Sequence, residues 1–110
     1  LKLHQTVLEI DLDAMLHNYR YFRGLVRPQT KIMVMVKAFS YGSGSVEVAS
    51  LLQHQRADYL AVAFADEGVA LREAGIRLPI MVMNVEPSGL EKLLQYQLEP
   101  EVYSFRLLEE

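Results

Sequence analysis

The 110 residues carry a net charge of −3 and are 51% apolar, with basic side chains scattered along the chain and no cysteine. That charge pattern leaves no Lys/Arg run for a nucleic-acid or lipid-headgroup surface, and the missing thiols exclude disulfides, thiolate metal sites and cysteine nucleophiles. The longest uncharged apolar stretch, Tyr59–Ala65, falls far short of the roughly 20 residues that span a bilayer. No nucleic-acid or membrane partner is therefore expected, and a chain without disulfides suits the cytoplasm.

The opening residues, Leu1-Lys2-Leu3-His4-Gln5, have no initiator Met and no apolar signal core. They read as the start of a piece cut from a longer chain. Thr6–Asp11 alternates weakly and predicts a strand lying outside the main sheet. Leu12, Met15, Leu16, Tyr19, Phe22 and Val26 then recur at helical spacing, with Asp11 or Asp13 as N-cap and Pro28 beyond the end.

Ile32–Val36, Leu60–Phe64 and Ile80–Met83 are short continuous apolar runs, each predicting a strand buried on both faces, as in a parallel sheet. A weaker fourth strand is predicted at Glu101–Tyr103. Helices are predicted between the runs: one around Val48, Leu51 and Leu52, and one over Asp66–Ala74 that stops at Gly75 with Ile76 packing back. A last helix opens on a capping box at Ser88–Glu91 and continues through Leu93 and Leu94. Strand–helix units every 20–30 residues imply right-handed crossovers. The fold class is α/β, with a parallel sheet. Periodicity does not separate a Rossmann sheet from a closed (β/α)₈ barrel; closing eight units takes about 200–250 residues, of which residues 1–110 supply about half.

Lys37 stands at the carboxyl end of the first apolar run and is followed by Tyr41, Gly42 and Gly44. In parallel α/β folds the carboxyl ends of the strands face the site. Partial burial there destabilises an ammonium, and a neutral amine condenses with an aldehyde. Each feature alone has a blander reading: a strand-end lysine is more often a solvated charge, and a Gly-x-Gly is common in turns.

Together they gain weight from the segment IMVMVKAFSYGSG (Ile32–Gly44), which resembles the cofactor-lysine signature V-V-K-A-[DN]-A-Y-G-H-G of bacterial alanine racemases. Glu9–Ala14 with His17-Asn18 is similar to that family's opening E-I-D-L-D-A-x-x-H-N. Tyr59–Phe64, Glu67 and Ala70–Ile76 resemble its next strand and helix, and Pro79–Met83 its third strand. Ordered matches over nearly the whole chain are far more specific than one motif.

The resemblance implies the first part of a TIM-type (β/α)₈ barrel that binds pyridoxal 5′-phosphate and interconverts L- and D-alanine for peptidoglycan synthesis. By the same resemblance Lys37 is catalytic and bonds the cofactor covalently, Tyr41 donates to its phosphate, and Met83 lies near its ring. The second acid/base is implied to be a tyrosine from the partner subunit of a homodimer, in a domain that nothing here matches. This chain alone is therefore not expected to racemise alanine efficiently. Phe39 replaces the family's Asp or Asn, Ser40 its Ala and Ser43 its His; that pattern resembles a branch in which the racemase is fused behind a Mur ligase. No metal is expected, since His4, His17 and His54 lack ligand spacing. Asp66 and Glu67 read as helix-start residues, and Tyr19, Tyr21, Tyr59, Tyr96 and Tyr103 as packing or surface. Alternatives are a decarboxylase of the same barrel class, a non-catalytic pyridoxal-phosphate-binding barrel, and a structural half-barrel that dimerises.

Overall fold

The computed structural model describes residues 6–110, so His4 and Lys2 lie outside the described residues. The chain alternates helix and strand: α1 (Leu12–Leu25), β1 (Met33–Met35), α2 (Lys37–Tyr41), α3 (Ser45–His54), β2 (Tyr59–Val62), α4 (Ala65–Glu73) and β3 (Ile80–Val82). A 3-10 turn (Pro87–Gly89), α5 (Leu90–Gln95), β4 (Glu99–Pro100) and α6 (Phe105–Glu109) follow. The strands form one parallel sheet in the order β1-β2-β3-β4. Sequential, parallel and unreversed order is what right-handed β–α–β crossovers on one side of a curling sheet produce.

The register pairs Met35 with Ala61 and Ala61 with Met81. Alternation along each strand then divides the sheet into two faces. Val36, Leu60, Val62, Ile80 and Val82 are fully buried against Val48, Leu52, Leu71, Leu93 and Leu98, which form the core with the helices. On the opposite face Met33 is exposed, and Met35, Tyr59 and Met81 are only half-buried. Strands buried on both faces were expected. The helix-covered face meets that expectation, and β2 meets it on both faces because Ala61 is fully buried between Met35 and Met81; at β1 and β3 the second face is only partly covered.

Two further expectations are corrected. The fourth strand lies at Glu99–Pro100, not Glu101–Tyr103, because the buried Leu98 anchors the chain two residues earlier and the Glu101 amide already donates to Val82 O at the ladder's end. Ser88 forms no capping box: Pro87 begins a 3-10 turn closed by Gly89 N donating to Glu86 O at 2.8 Å, so the helix entry has no side-chain cap. Thr6–Asp11 makes no strand with the other described residues.

Asp11 does cap α1, its carboxylate accepting from Ala14 N at 3.0 Å. Of the predicted α1 face only Met15, Leu16 and Tyr19 are half-buried, while Phe22 is exposed beside β1. Three helices end alike. Gly75, Arg56 and Gln97 take left-handed φ angles, and the next residue donates back to the preceding turn: Ile76 to Leu71 O, Ala57 to Leu52 O, Leu98 to Leu93 O. These are Schellman ends, each burying the residue after the left-handed one. Arg72 adds a clamp. Its guanidinium donates to the carbonyls of Ile76, Leu78, Tyr96 and Gln97, joining the ends of α4 and α5.

Candidate functional site

Counting two residues on from the paired Met35, Ala61 and Met81 brings Lys37, Ala63 and Met83 to the carboxyl end of the sheet. Met83 and Asn84 continue the ladder there, donating to Val62 O and Ala63 O. Lys37 is half-buried, Met83 likewise, and Ala63 puts only a methyl group between the two strands that carry them. Val36, fully buried, ends β1: its amide still donates to Ala61 O, but its ψ of 22° turns the chain out of the sheet.

Immediately after Lys37 the backbone winds left-handed. Ala38, Phe39, Ser40 and Tyr41 have φ between 50° and 57°, and Gly42 follows at 92°. A non-glycine residue in this conformation costs roughly 1–2 kcal/mol, and four in succession persist only when surrounding contacts over-determine them. Those contacts are present: Ser40 N donates to Val36 O, Gly42 N to Ala38 O, and Gly44 N to Phe39 O at 2.8 Å. The turn buries Ser40, whose Oγ has no hydrogen-bond partner among the described residues, and projects Phe39 and Tyr41 outward, 75% and 68% exposed. Tyr41 thus shares the loop with Lys37 without packing into the sheet end.

Glu67 is the residue that sequence reasoning undervalued. It does act at a helix start, accepting from Ala63 N and Phe64 N at 3.0 Å each. Its second oxygen reaches across to Ala38 N at 2.7 Å, in the residue next to Lys37. A contact across 29 positions leaves no local signal. Asp66, its neighbour, pairs with Lys92 at 2.6 Å on the surface. The start of α3 is faced by the chain's own Glu47: a Cβ added to Gly44 would lie 2.5 Å from Glu47 Oε2.

Three other tyrosines are engaged elsewhere. Tyr59 opens β2 at its amino end and donates to Glu99 at 3.5 Å, Tyr96 donates to Glu73, and Tyr21 stacks edge-on against Phe22. His17 and His54 are exposed and far apart in the chain. Among the described residues no group of three or more His, Asp or Glu is placed to hold a metal ion, and no helix is long and apolar enough to cross a membrane.

A parallel sheet with a half-buried lysine at its carboxyl end, followed by this turn, is matched in sequence by the family described as alanine racemase, N-terminal domain, over residues 10–110. The chain belongs to that family. It is 42% identical over 99 residues to an alanine racemase of Synechocystis sp., covering 88% of this chain and 27% of that protein. A serine/alanine racemase of Enterococcus gallinarum is 37% identical over 101 residues, covering 91% of this chain and 14% of the relative. The solved alanine racemase of Clostridium difficile 630 superposes with a TM-score of 0.88 at 38% identity, over 91% of this chain and 27% of that one; it has also been solved in complex with cycloserine. The parallel α/β architecture is that of the amino-terminal barrel domain of these enzymes. The chain spans about a quarter of the length of the alanine racemases it matches.

Proposed function

We propose that residues 1–110 are a partial barrel domain of a racemase that interconverts L- and D-alanine for peptidoglycan synthesis, with Lys37 as its catalytic, cofactor-bearing residue. The observation that carries this is the half-buried Lys37 at the carboxyl end of β1, opposite Met83 and followed by the left-handed Tyr41-Gly42 turn, in a chain of this family. The residues present fit pyridoxal 5′-phosphate. Lys37 offers an amine to its aldehyde, the methyl of Ala63 leaves space beside it, Met83 offers an apolar contact for a ring, and the exposed Tyr41 hydroxyl is free to donate to a phosphate oxygen.

Bound there, the cofactor would supply an electron sink for the charge that develops when the substrate's Cα loses its proton. The chain's own part is to hold the amine of Lys37 at that carbon, where it removes or returns a proton on one face. Inversion needs a second acid/base on the other face, and Tyr41, the described tyrosine in the loop that leaves β1, is read as a phosphate donor. The second acid/base is assigned to the partner subunit of a homodimer, in the cytoplasm. Fusion behind a Mur ligase is proposed from Phe39, Ser40 and Ser43. The serine/alanine racemase among the relatives makes serine the second substrate to assay.

The test is covalent. Pyridoxal phosphate is added, the imine is reduced with borohydride and the modified lysine is mapped by peptide mass, in this chain and in the longer parent, with Lys37→Ala as control. Selective modification of Lys37 is expected, at least in the parent, together with alanine racemisation there. Indiscriminate modification of Lys2, Lys31, Lys37 and Lys92 in both would defeat the proposal.

A further inference from the structure

We infer that Glu67 is a positioning residue for Lys37, acting through the peptide bond that joins Lys37 to Ala38. The inference rests on the reading that Lys37 is the cofactor-bearing amine. The geometry is local and asymmetric. Glu67 Oε1 accepts from Ala63 N and Phe64 N and so belongs to the start of α4, whereas Oε2 accepts from Ala38 N at 2.7 Å. A single carboxylate therefore ties the carboxyl end of β2 to the loop leaving β1.

The Ala38 N–H lies in the same rigid plane as the Lys37 carbonyl. Fixing that plane fixes ψ of Lys37 and φ of Ala38 together, and with them the direction in which the Lys37 side chain departs. Ala38 is also where the left-handed run begins, at φ 50°. A β-carbon disfavours that conformation, so without an external acceptor the first residue of the turn relaxes most readily. The acceptor is a carboxylate oxygen and the bond is short, at 2.7 Å, the geometry of the stronger class of hydrogen bond. Lys37 thus sits between two anchors, the buried Val36 before it and the Glu67-bound amide after it.

Glu67→Gln separates the two duties of this side chain. A glutamine carbonyl can still accept from Ala63 N and Phe64 N, but its NH₂ then faces Ala38 N–H, donor against donor. The reverse orientation forfeits two bonds to keep one, so the first is preferred. In the full-length protein, borohydride trapping of pyridoxal phosphate on Lys37 is expected to slow about ten- to a hundredfold in Glu67→Gln, as loss of one charge-assisted bond predicts, with circular dichroism and melting close to wild type. Adding Ala38→Gly should recover part of the rate, because glycine accepts positive φ without the β-carbon penalty. A residue that merely stabilised α4 would show no such rescue.

Equal trapping rates in wild type and Glu67→Gln would overturn the inference while leaving the function reading intact. A wild-type protein that is not modified at Lys37 would sink both. Should Glu67→Gln fail to fold, amide exchange of Ala38 in the wild-type protein decides: a protected amide supports the bond, and exchange as fast as in an open loop refutes it.

Discussion

Ser40 shows what a single substitution within a strained turn does. Its side chain is buried at 6% exposure and its Oγ has no partner among the described residues. A buried hydroxyl left unpaired costs about 1–3 kcal/mol, and the related signature has alanine at this position, which needs no partner. Ser40→Ala is therefore expected to stabilise the full-length protein by about 1 kcal/mol, read as a higher urea midpoint with an unchanged slope. A loss of stability would mean that the hydroxyl is bonded by a group outside residues 6–110. The position was legible in sequence as a departure from the signature. Its burial was not, because nothing in the run Ala38–Tyr41 announces a left-handed turn; only Gly42 and Gly44 hint at positive φ. Lys37, Tyr41 and Met83 are singled out by the resemblance to the family's ordered motifs, whereas Glu67 could not be linked to them because its partner lies in another β–α unit.

At the scale of elements, Asp58 fastens three of them. Its carboxylate accepts from Ile32 N and pairs with Arg23, both at 2.7 Å, and so joins the end of α1, the approach to β1 and the start of β2. The Ile32 amide first, and Arg23 after it, hold the Asp58 carboxyl below its ordinary value against the opposing effect of burial. A carboxylate whose value is depressed on folding stabilises the native state above its unfolded value, about 3.9, and that contribution is lost as pH falls through the lower folded value. The melting temperature of wild type should therefore exceed that of Asp58→Asn at pH 7, and the gap should narrow steadily below about pH 4. A gap that stays constant down to pH 3 would assign the effect to shape and not to charge. The elements themselves were largely readable, since the apolar runs mark β1, β2 and β3 and Gly75 marks the end of α4. Arg56 and Gln97 end α3 and α5 by the same left-handed device without glycine, so those boundaries had no signal. The fourth strand was misplaced for a related reason: β4 is two residues long, and the buried Leu98 sets its position.

The whole molecule is a slab. Its radius of gyration is 16.0 Å and its extents are 53 × 42 × 22 Å, whereas a compact chain of this length has a radius near 13 Å. The difference has a structural source: helices cover one face of the sheet, and the methionine-bearing face and the free edge of β1 are left open among the described residues. A cavity of about 700 Å³ runs along that edge, lined by Tyr19, Phe22, Leu25, Ile32, Met35 and Leu51. Leu94 and Phe105, 82% and 85% exposed, add apolar surface elsewhere. An open apolar edge offers unpaired amides and carbonyls to any strand that can reach it, and contiguous apolar surface drives association. The 110-residue chain on its own is therefore expected to self-associate. Sedimentation equilibrium should give a mass that rises above 12.6 kDa as concentration increases, with a dye that reports apolar surface bound at low concentration and released on assembly. A longer chain that carries the barrel's remaining strands should bind far less of that dye per chain, because those strands would cover the same edge. A mass fixed at 12.6 kDa across the concentration range would show that the exposed face is tolerated in water, and the sheet's open side would then need no further strand to be stable.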